Sequence, residues 1–304
     1  MKAIVAGLGA CVYDTLIRCA AYPEEDKKVR ADGVFRSGGG PVGNALVVMS
    51  KLGLPVKVLG AFAKDEAADF LLSDFQKYGV ATDEVKRLDG TRSFTSYILL
   101  SERGKTRTCV FDQGTVPDEE SSVRLSALQG IRVLHLDGNY LHAALRCAKY
   151  SRENGVKVSL DAGGLYPDIE KLLPFVDILI PSRDFACQFT GKEEIGEAML
   201  ALDRAYHPEV LAVTDGENGG YYLENGRAEK FNGIKVEAVD TNGAGDTFHG
   251  AFLVAYLAGK NVRECAAYAA AVAAYKCMHF GARDYELSQE RIRTFLLEGK
   301  NKRR

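Results

Sequence analysis

The chain has no excess of charge of either sign. Thirty-nine Lys and Arg balance 41 Asp and Glu over 304 residues, for a formal net charge of −2. A nucleic-acid partner calls for a basic field, so that class is set aside. The one basic run is KNKRR at 300–304, read as a solvated tail. The seven cysteines are odd in number and include no C-x-x-C, and the five histidines form no H-E-x-x-H. A disulfide framework and a zinc site are therefore not expected, and the thiols fit a reducing cytoplasm as small buried hydrophobes. No apolar run is long enough to cross a bilayer: AAYAAAVAAY, from Ala266, is too short and too Ala-rich. The opening MKAIVAGLGACVYD resembles a signal peptide only until Asp14 arrives with no small-residue cleavage site, so it reads as a buried first strand. No repeat, low-complexity linker or domain boundary is visible, and one main domain over 1–304 is expected.

What is present is an alternation. KAIVAGLG, VKVLG, IRVLHLD, VKVSLD, VDILI and EVLAVTDG read as strands. PVGNALVVMSKLG, DEAADFLLSDFQKYG and YLHAALRCAKYSRENG read as helices. Strands separated by helices of this length imply right-handed crossovers. The fold class is therefore α/β: a doubly wound, mostly parallel sheet with helices on both faces. Residues 11–38 and 90–114 break the rhythm as strand–turn–strand excursions, the second turning at ERGK. Paired together they would make a small β-sheet lid, with one face free to build a homodimer. A third hairpin, YYLENGRAEKF, turns on Asn225-Gly226.

Three glycine-rich stretches are candidates for chemistry. GLGA at 7–10 lacks the third glycine and the following helix of a dinucleotide fingerprint, since Val12 stands there. SGGGPVGNALVV ends a strand on glycines, has Pro41 at a first helical turn, and sets Asn44 inside that turn. It is either a tight strand-to-helix turn or a floor where a ligand meets bare backbone and the Asn44 amide. In VDTNGAGDTFHGAF, apolar residues from Phe248 at helical spacing start a helix near Gly243. The unpartnered N–H groups of its first turn make an anion site, with Gly243, Ala244 and Gly245 leaving no bulk in the way. No G-x-x-x-x-G-K-[ST] occurs, so the cradle is backbone only and its charge must come from elsewhere. Asp246 is either a first-turn acid or a base aimed at an attacking hydroxyl. Phosphoryl transfer needs only orientation and late proton acceptance from such a base.

Taken together, SGGGPVGNALVVMSKLG and VDTNGAGDTFHGAF resemble the two signatures of the ribokinase-like phosphofructokinase-B (PfkB) carbohydrate kinases. DTFHGAF, AAYKC and GAR are closest in detail to the ketohexokinase and sulfofructose kinase branch. The resemblance implies an ATP-dependent, Mg²⁺-assisted kinase acting on a primary hydroxyl of a small sugar. It makes Asp246 the base and the Gly243, Ala244 and Gly245 amides the anion hole. Asp14, Gly39, Gly40 and Asn44 become the sugar floor. Thr214, Asp215, Gly216, Gly219 and Asn242 fall along the ATP phosphates, and Asp240 and Thr241 lie where many members hold a monovalent cation such as K⁺. The usual N-x-x-E, which helps hold the Mg²⁺ water network, is replaced: Ser182 and Phe185 stand in its two positions, with Asp184 one residue early.

Asp137 and Asn139, at a strand end, are read as hydroxyl contacts, and Asp161 is similar. Lys27, Lys28, Arg30, Arg36, Arg92 and Arg107 are lid residues able to meet an anionic sugar, though most suit a solvated strand face. Tyr97 and Phe111 are candidates to line the sugar pocket but read first as lid packing or dimer contact, and His249 reads as a helix-face packing or hydrogen-bonding histidine rather than a catalyst. The alternatives are a nucleoside or an acidic or phosphorylated sugar as acceptor, and, from another class, a nucleotide-binding oxidoreductase using GLGA. The expected partners are the sugar and ATP, in the cytoplasm, with no membrane.

Overall fold

The computed structural model describes residues 2–104 and 106–301. Lys105 of the ERGK turn and the last three residues of the KNKRR tail lie outside the described residues. In chain order the elements are β1 (Val5–Leu8), β2 (Val12–Cys19), β3 (Gly33–Gly39), α1 (Pro41–Lys51), β4 (Val56–Val58), β5 (Ala61–Ala63), α2 (Glu66–Lys77), β6 (Lys86–Leu88), β7 (Thr95–Ser101) and β8 (Thr106–Asp112). They continue as β9 (Val133–Leu136), α3 (Leu141–Glu153), β10 (Lys157–Ala162), β11 (Ile178–Pro181), α4 (Arg183–Thr190), α5 (Ile195–Tyr206), β12 (Val210–Thr214), β13 (Gly220–Glu224), β14 (Arg227–Phe231), α6 (Ala244–Leu257), α7 (Val262–Cys277) and α8 (Gln289–Asn301).

The main sheet runs β14-β13-β12-β11-β10-β9-β1-β4. From β4 to β12 every pairing is parallel. Strands buried on both faces should be apolar throughout, with alternate residues feeding opposite layers. They are: Val133, Ile178 and Val210 pack with α1, α2, α6 and α7 on one face. Leu134, Leu179 and Leu211 pack with α3, α4 and α5 on the other. The Asn225-Gly226 hairpin extends this sheet as β13 and β14. Both turn residues have positive φ, 50° and 73°, as a type I′ turn demands.

The two excursions pair into one four-stranded sheet, β3-β2-β7-β8, in which β2 and β7 run parallel. Its register separates two faces. Asp14, Ser37, Ser96 and Phe111 are cross-strand neighbours on one face. Ile17, Val34, Tyr97 and Val110 belong to the other. Tyr97 and Phe111, read together from the sequence, thus point opposite ways. Among the described residues no helix is long and apolar enough to cross a membrane.

Candidate active site

α1 and α6 open at the same place, the C-terminal edge of the main sheet. Gly243 precedes α6 with φ 76°, in the region glycine tolerates best. The turn spends the Ala244 N–H on the Thr241 carbonyl at 3.2 Å. The N–H groups of Gly245 and Asp246, next in the first turn, have no intrahelical acceptor.

Asn44 reaches Asp246 from α1, its Nδ2 donating to Oδ2 at 2.6 Å. The amide orientation is fixed by Arg283, whose Nε donates to Asn44 Oδ1 at 2.8 Å. A guanidinium has no acceptor, so the amide oxygen must face it and the amide nitrogen must face Asp246. Arg283 is buried; it also binds Asp74 Oδ2 at 2.7 Å and the Gly39 carbonyl at 2.8 Å, and lies over the Phe75 ring. The glycine pattern of the first signature follows from these neighbours. A Cβ on Gly38 or Gly43 would sit 2.0 or 2.4 Å from the Arg283 guanidinium, and one on Gly39 would sit 1.9 Å from Asp14 Oδ2. Gly40 has φ 87° and passes against the Ala10 carbonyl. Two of these glycines therefore make room for a buried arginine rather than for a ligand.

Asp14 accepts from Ser96 Oγ at 2.6 Å on the inner face of the small sheet, and burial raises its pKa. Asp137 is committed elsewhere. Its Oδ2 accepts from the Ala10 and Val42 amides and its Oδ1 from the Asn139 backbone and side chain, so it ties the end of β1 to the start of α1. A Cβ on Gly9 would meet this carboxylate at 2.4 Å, which explains that glycine without a nucleotide.

Behind Asp246 lies a buried pair: His249, read as a packing or hydrogen-bonding histidine, meets Asp161, read as a hydroxyl contact. Asp161, at the end of β10, has Oδ1 3.2 Å from His249 Nε2. His249 follows Asp246 by three positions, on the same side of α6. Burial alone would raise the Asp161 pKa, but the His249 charge and hydrogen bond outweigh it and leave it lowered. Burial then drives the neighbouring His135 down to about 3, so it stays neutral. Asp246 keeps part of its surface open to the site, but protein encloses the rest. That desolvation, then the Asp161 charge, raise its pKa to about 6 against the hydrogen bond from Asn44.

Before the cradle, Asp240 Oδ1 accepts from the Asn242 amide and Oδ2 from the Gly281 amide. Its carbonyl accepts from Lys276 Nζ at 2.7 Å. Each oxygen of Asp240, expected with Thr241 at a monovalent-cation site, thus already accepts a hydrogen bond. Arg107, expected at the sugar floor, instead reaches the turn itself, Nη1 donating to Asn242 Oδ1 at 3.0 Å.

Thr214, Asp215 and Gly216 line an open groove with Ser182, Arg183, Asp184 and Glu217, and Arg183 lies 3.6 Å from Asp215. Gly219 closes the β12–β13 turn with φ 88°, where a Cβ would strike the Phe231 carbonyl. Ser182 Oγ caps α4 through the Phe185 amide, and the Phe185 ring is buried against Phe189. Asp184 is the exposed acid of that turn. The described residues contain no cluster of three or more metal-ligating side chains.

Thus Asn44, Asp246 and the Gly243 turn meet, Asp14 lies against Gly39 just before α1, and Thr214, Asp215 and Gly216 line a groove of their own with the start of α4. Arg283 and Lys276 are additions. The signal was there: CAAYAAAVAAYKC is an apolar helix with one lysine, and GARD sets an arginine directly after two small residues.

The sequence profile described as pfkB family carbohydrate kinase matches residues 8–289. An uncharacterized sugar kinase of Archaeoglobus fulgidus is 32% identical over 249 residues, covering 78% of this chain and 96% of its own. The ribokinase of Bacillus subtilis is 26% identical over 279 residues, covering 90% and 93%. The Arabidopsis thaliana ribokinase complexed with ribose and ATP superposes with a TM-score of 0.84 at 23% identity, over 97% of this chain and 99% of that one.

Proposed function

The chain belongs to the pfkB family of carbohydrate kinases, and from that premise we propose that it transfers the γ-phosphoryl group of ATP to a primary hydroxyl of a small ketose-like or ribose-like sugar. One observation carries the reading: the two motifs meet at the Asn44–Asp246 hydrogen bond, in the mouth of α6. ATP lies along the groove at Thr214, Asp215 and Gly216, with its γ-phosphoryl at the α6 N-terminus. The sugar lies between that end and the Asp14 face of the small sheet.

Asn44 holds one oxygen of Asp246 and leaves the other for the attacking hydroxyl. The hydroxyl oxygen bonds to the γ-phosphorus, the bond from that phosphorus to the β–γ bridging oxygen breaks, and the proton passes to Asp246. The amides that open α6 receive charge from the moving phosphoryl oxygens. Arg107 supplies the positive charge that a backbone-only cradle lacks. Asp14, with Ser96 behind it, receives a second sugar hydroxyl. Mg²⁺ arriving with the nucleotide would shield the phosphate charge, and Asp184, Asp215 and Glu217 are carboxylates lining the groove that would hold its waters. The small sheet serves as the lid that keeps water out. Its outward face, with Val34, Tyr97 and Val110 each more than half exposed, is where a second copy docks to form a dimer.

Two of the basic lid side chains are already engaged. Arg92 lies 2.9 Å from Asp112, and Arg107 donates to Asn242 Oδ1 at 3.0 Å. That favours a neutral sugar over a phosphorylated one. The test is ADP release with fructose, other ketoses, ribose, keto-deoxy acids, sulfofructose and adenosine. Turnover with a neutral sugar alone supports the reading. Turnover with adenosine or an acidic sugar alone would replace it.

A further inference from the structure

Lys276 is a charge with no water around it. It stands at the end of α7 with no exposed surface, among alanines, on a helix with no polar need for it. Such a group persists only where something holds it. What holds it is Asp240: Nζ donates to the carbonyl oxygen at 2.7 Å and lies 4.0 Å from Oδ2.

We infer that Lys276 is a tethered cation, doing from within the chain what a bound monovalent ion would do beside the phosphoryl cradle, so that phosphotransfer here needs no K⁺. Three observations support this. The first is occupancy. An ion at Asp240 would have to share or displace the donors already on its oxygens. The Asp240 carbonyl accepts from Lys276, its carboxylate oxygens from the Asn242 and Gly281 amides, and the Thr241 carbonyl from the Ala244 amide. The Cys277 carbonyl is taken by the amides of Val239 and Asp240. The second is charge. One carboxylate faces one ammonium, and a further cation would be repelled by it at short range in a dry site. The third is position. The contact clamps residues 239–242, the run into the Gly243 turn, to the end of α7 and the loop after it. The ammonium thereby fixes the turn from which the α6 amides project.

Position also says what the charge does. The ammonium contacts Asp240 in the run into the turn and so acts through the turn, which makes Lys276 a positioning residue.

The inference rests on the kinase reading, but its test has an arm that does not. Wild type is assayed in choline, Na⁺, K⁺ and NH₄⁺ at one ionic strength, with Tm measured in each. Expected are the same kcat and KM in all four and a flat Tm. Activation by K⁺, or a Tm that climbs with K⁺ as mass action requires of a bound ligand, overturns the inference. Lys276→Ala removes the ammonium and leaves room. Its kcat in choline should fall on the order of tenfold or more, and K⁺ or NH₄⁺ should restore it along with Tm. Lys276→Met fills the space without charge and should not respond. Full activity of Lys276→Ala in choline would show that no charge is needed there and would sink the idea. If the kinase reading itself fails, no salt gives sugar-dependent ADP release, yet the wild-type Tm series still decides whether the site takes an ion. Should Lys276→Ala not fold in choline, the wild-type salt series decides alone.

Discussion

Asn44 and Asp246 are 202 residues apart in the chain and 2.6 Å apart in space. The contact requires α1 and α6 to run close together, and Gly250 permits it. A Cβ there would lie 2.8 Å from the Ala45 carbonyl and 3.0 Å from Val48. The HG of DTFHGAF is therefore part of the same device as the GD: one pairs with Asp161 behind the base, the other lets the base approach its partner.

Replacing the base should cost chemistry and spare binding. Asp246→Asn keeps the shape of the side chain but accepts no proton. Sugar-dependent ADP release should fall by roughly 10²-fold or more, with KM for ATP little changed. Unchanged turnover would make Asp246 a first-turn acid and remove it from the mechanism.

The pH dependence follows from the same carboxylate. Asp246 must be ionised to take the proton, so kcat should rise as pH passes upward through about 6. Asp161 from β10 and Asp137 after β9 push this pKa up, while His249 on α6 and Asn44 on α1 pull it down. Asp161→Asn removes the larger of those two charges and should shift the acid limb to lower pH. Stability moves the other way. The folded state holds this proton more tightly than the unfolded chain, so the contribution is full below about 3.8 and is lost as pH rises through about 6. A Tm–pH curve of wild type minus Asp246→Asn should carry that slope. A flat difference would mean that Asp246 titrates as an ordinary exposed acid.

The doubly wound sheet was legible because its strands are short, β-branched and separated by periodic helices. The small sheet was legible because its two segments alternate. GAGD was legible as a cradle because a glycine-rich turn opens an apolar helix. Other features were hidden for physical reasons. Asp137 looks like any strand-end acid until its four donors are seen. Gly38 and Gly43 look like ligand floor until Arg283, some 240 residues on, is found in the space they leave. A charge that is buried by tertiary packing has no local pattern: Lys276 shows only as a lone charge in an apolar helix, and Arg283, next to Asp284, looks like one of an ordinary surface pair.

Arg283 should prove a stability residue and a positioning residue at once. Arg283→Met leaves Asp74 without its buried partner, an effect of about 3–5 kcal/mol in Tm or denaturant midpoint. Arg283→Lys keeps the charge but cannot hold Asn44, Asp74 and Gly39 together. In the folded fraction of either variant the Asn44 amide is free to turn, so kcat should fall while KM for ATP holds. A variant that loses stability but keeps the wild-type kcat would show that Asn44 is held by other means.

Gly39→Ala tests the sugar floor. The added Cβ would lie 1.9 Å from Asp14 Oδ2. Asp14 must then turn away from Ser96, and a hydroxyl that it bound would lose that partner. KM for the sugar should rise roughly tenfold or more, as for a lost hydrogen bond to a charged group, with KM for ATP unaffected. An unchanged sugar KM would move the acceptor away from Asp14.

The outer face of the small sheet gives the last prediction. Val34, Tyr97 and Val110 are 59%, 51% and 60% exposed, and the register places Ile17 and Leu99 among them. A contiguous apolar strand face on a polar surface is costly in water, and a two-fold pairing of like faces covers both copies at once. The 33.1 kDa chain should therefore sediment as a dimer. Val110→Lys sets a charge on the β8 edge of each apolar face, which a paired face would have to bury or expel, and should shift the species to monomer. Monomers should retain the Asn44–Asp246 contact, which lies within one chain, but hold the lid less firmly. KM for the sugar should then rise more than kcat falls. A wild type that sediments as a monomer at micromolar concentration would leave this face to another partner.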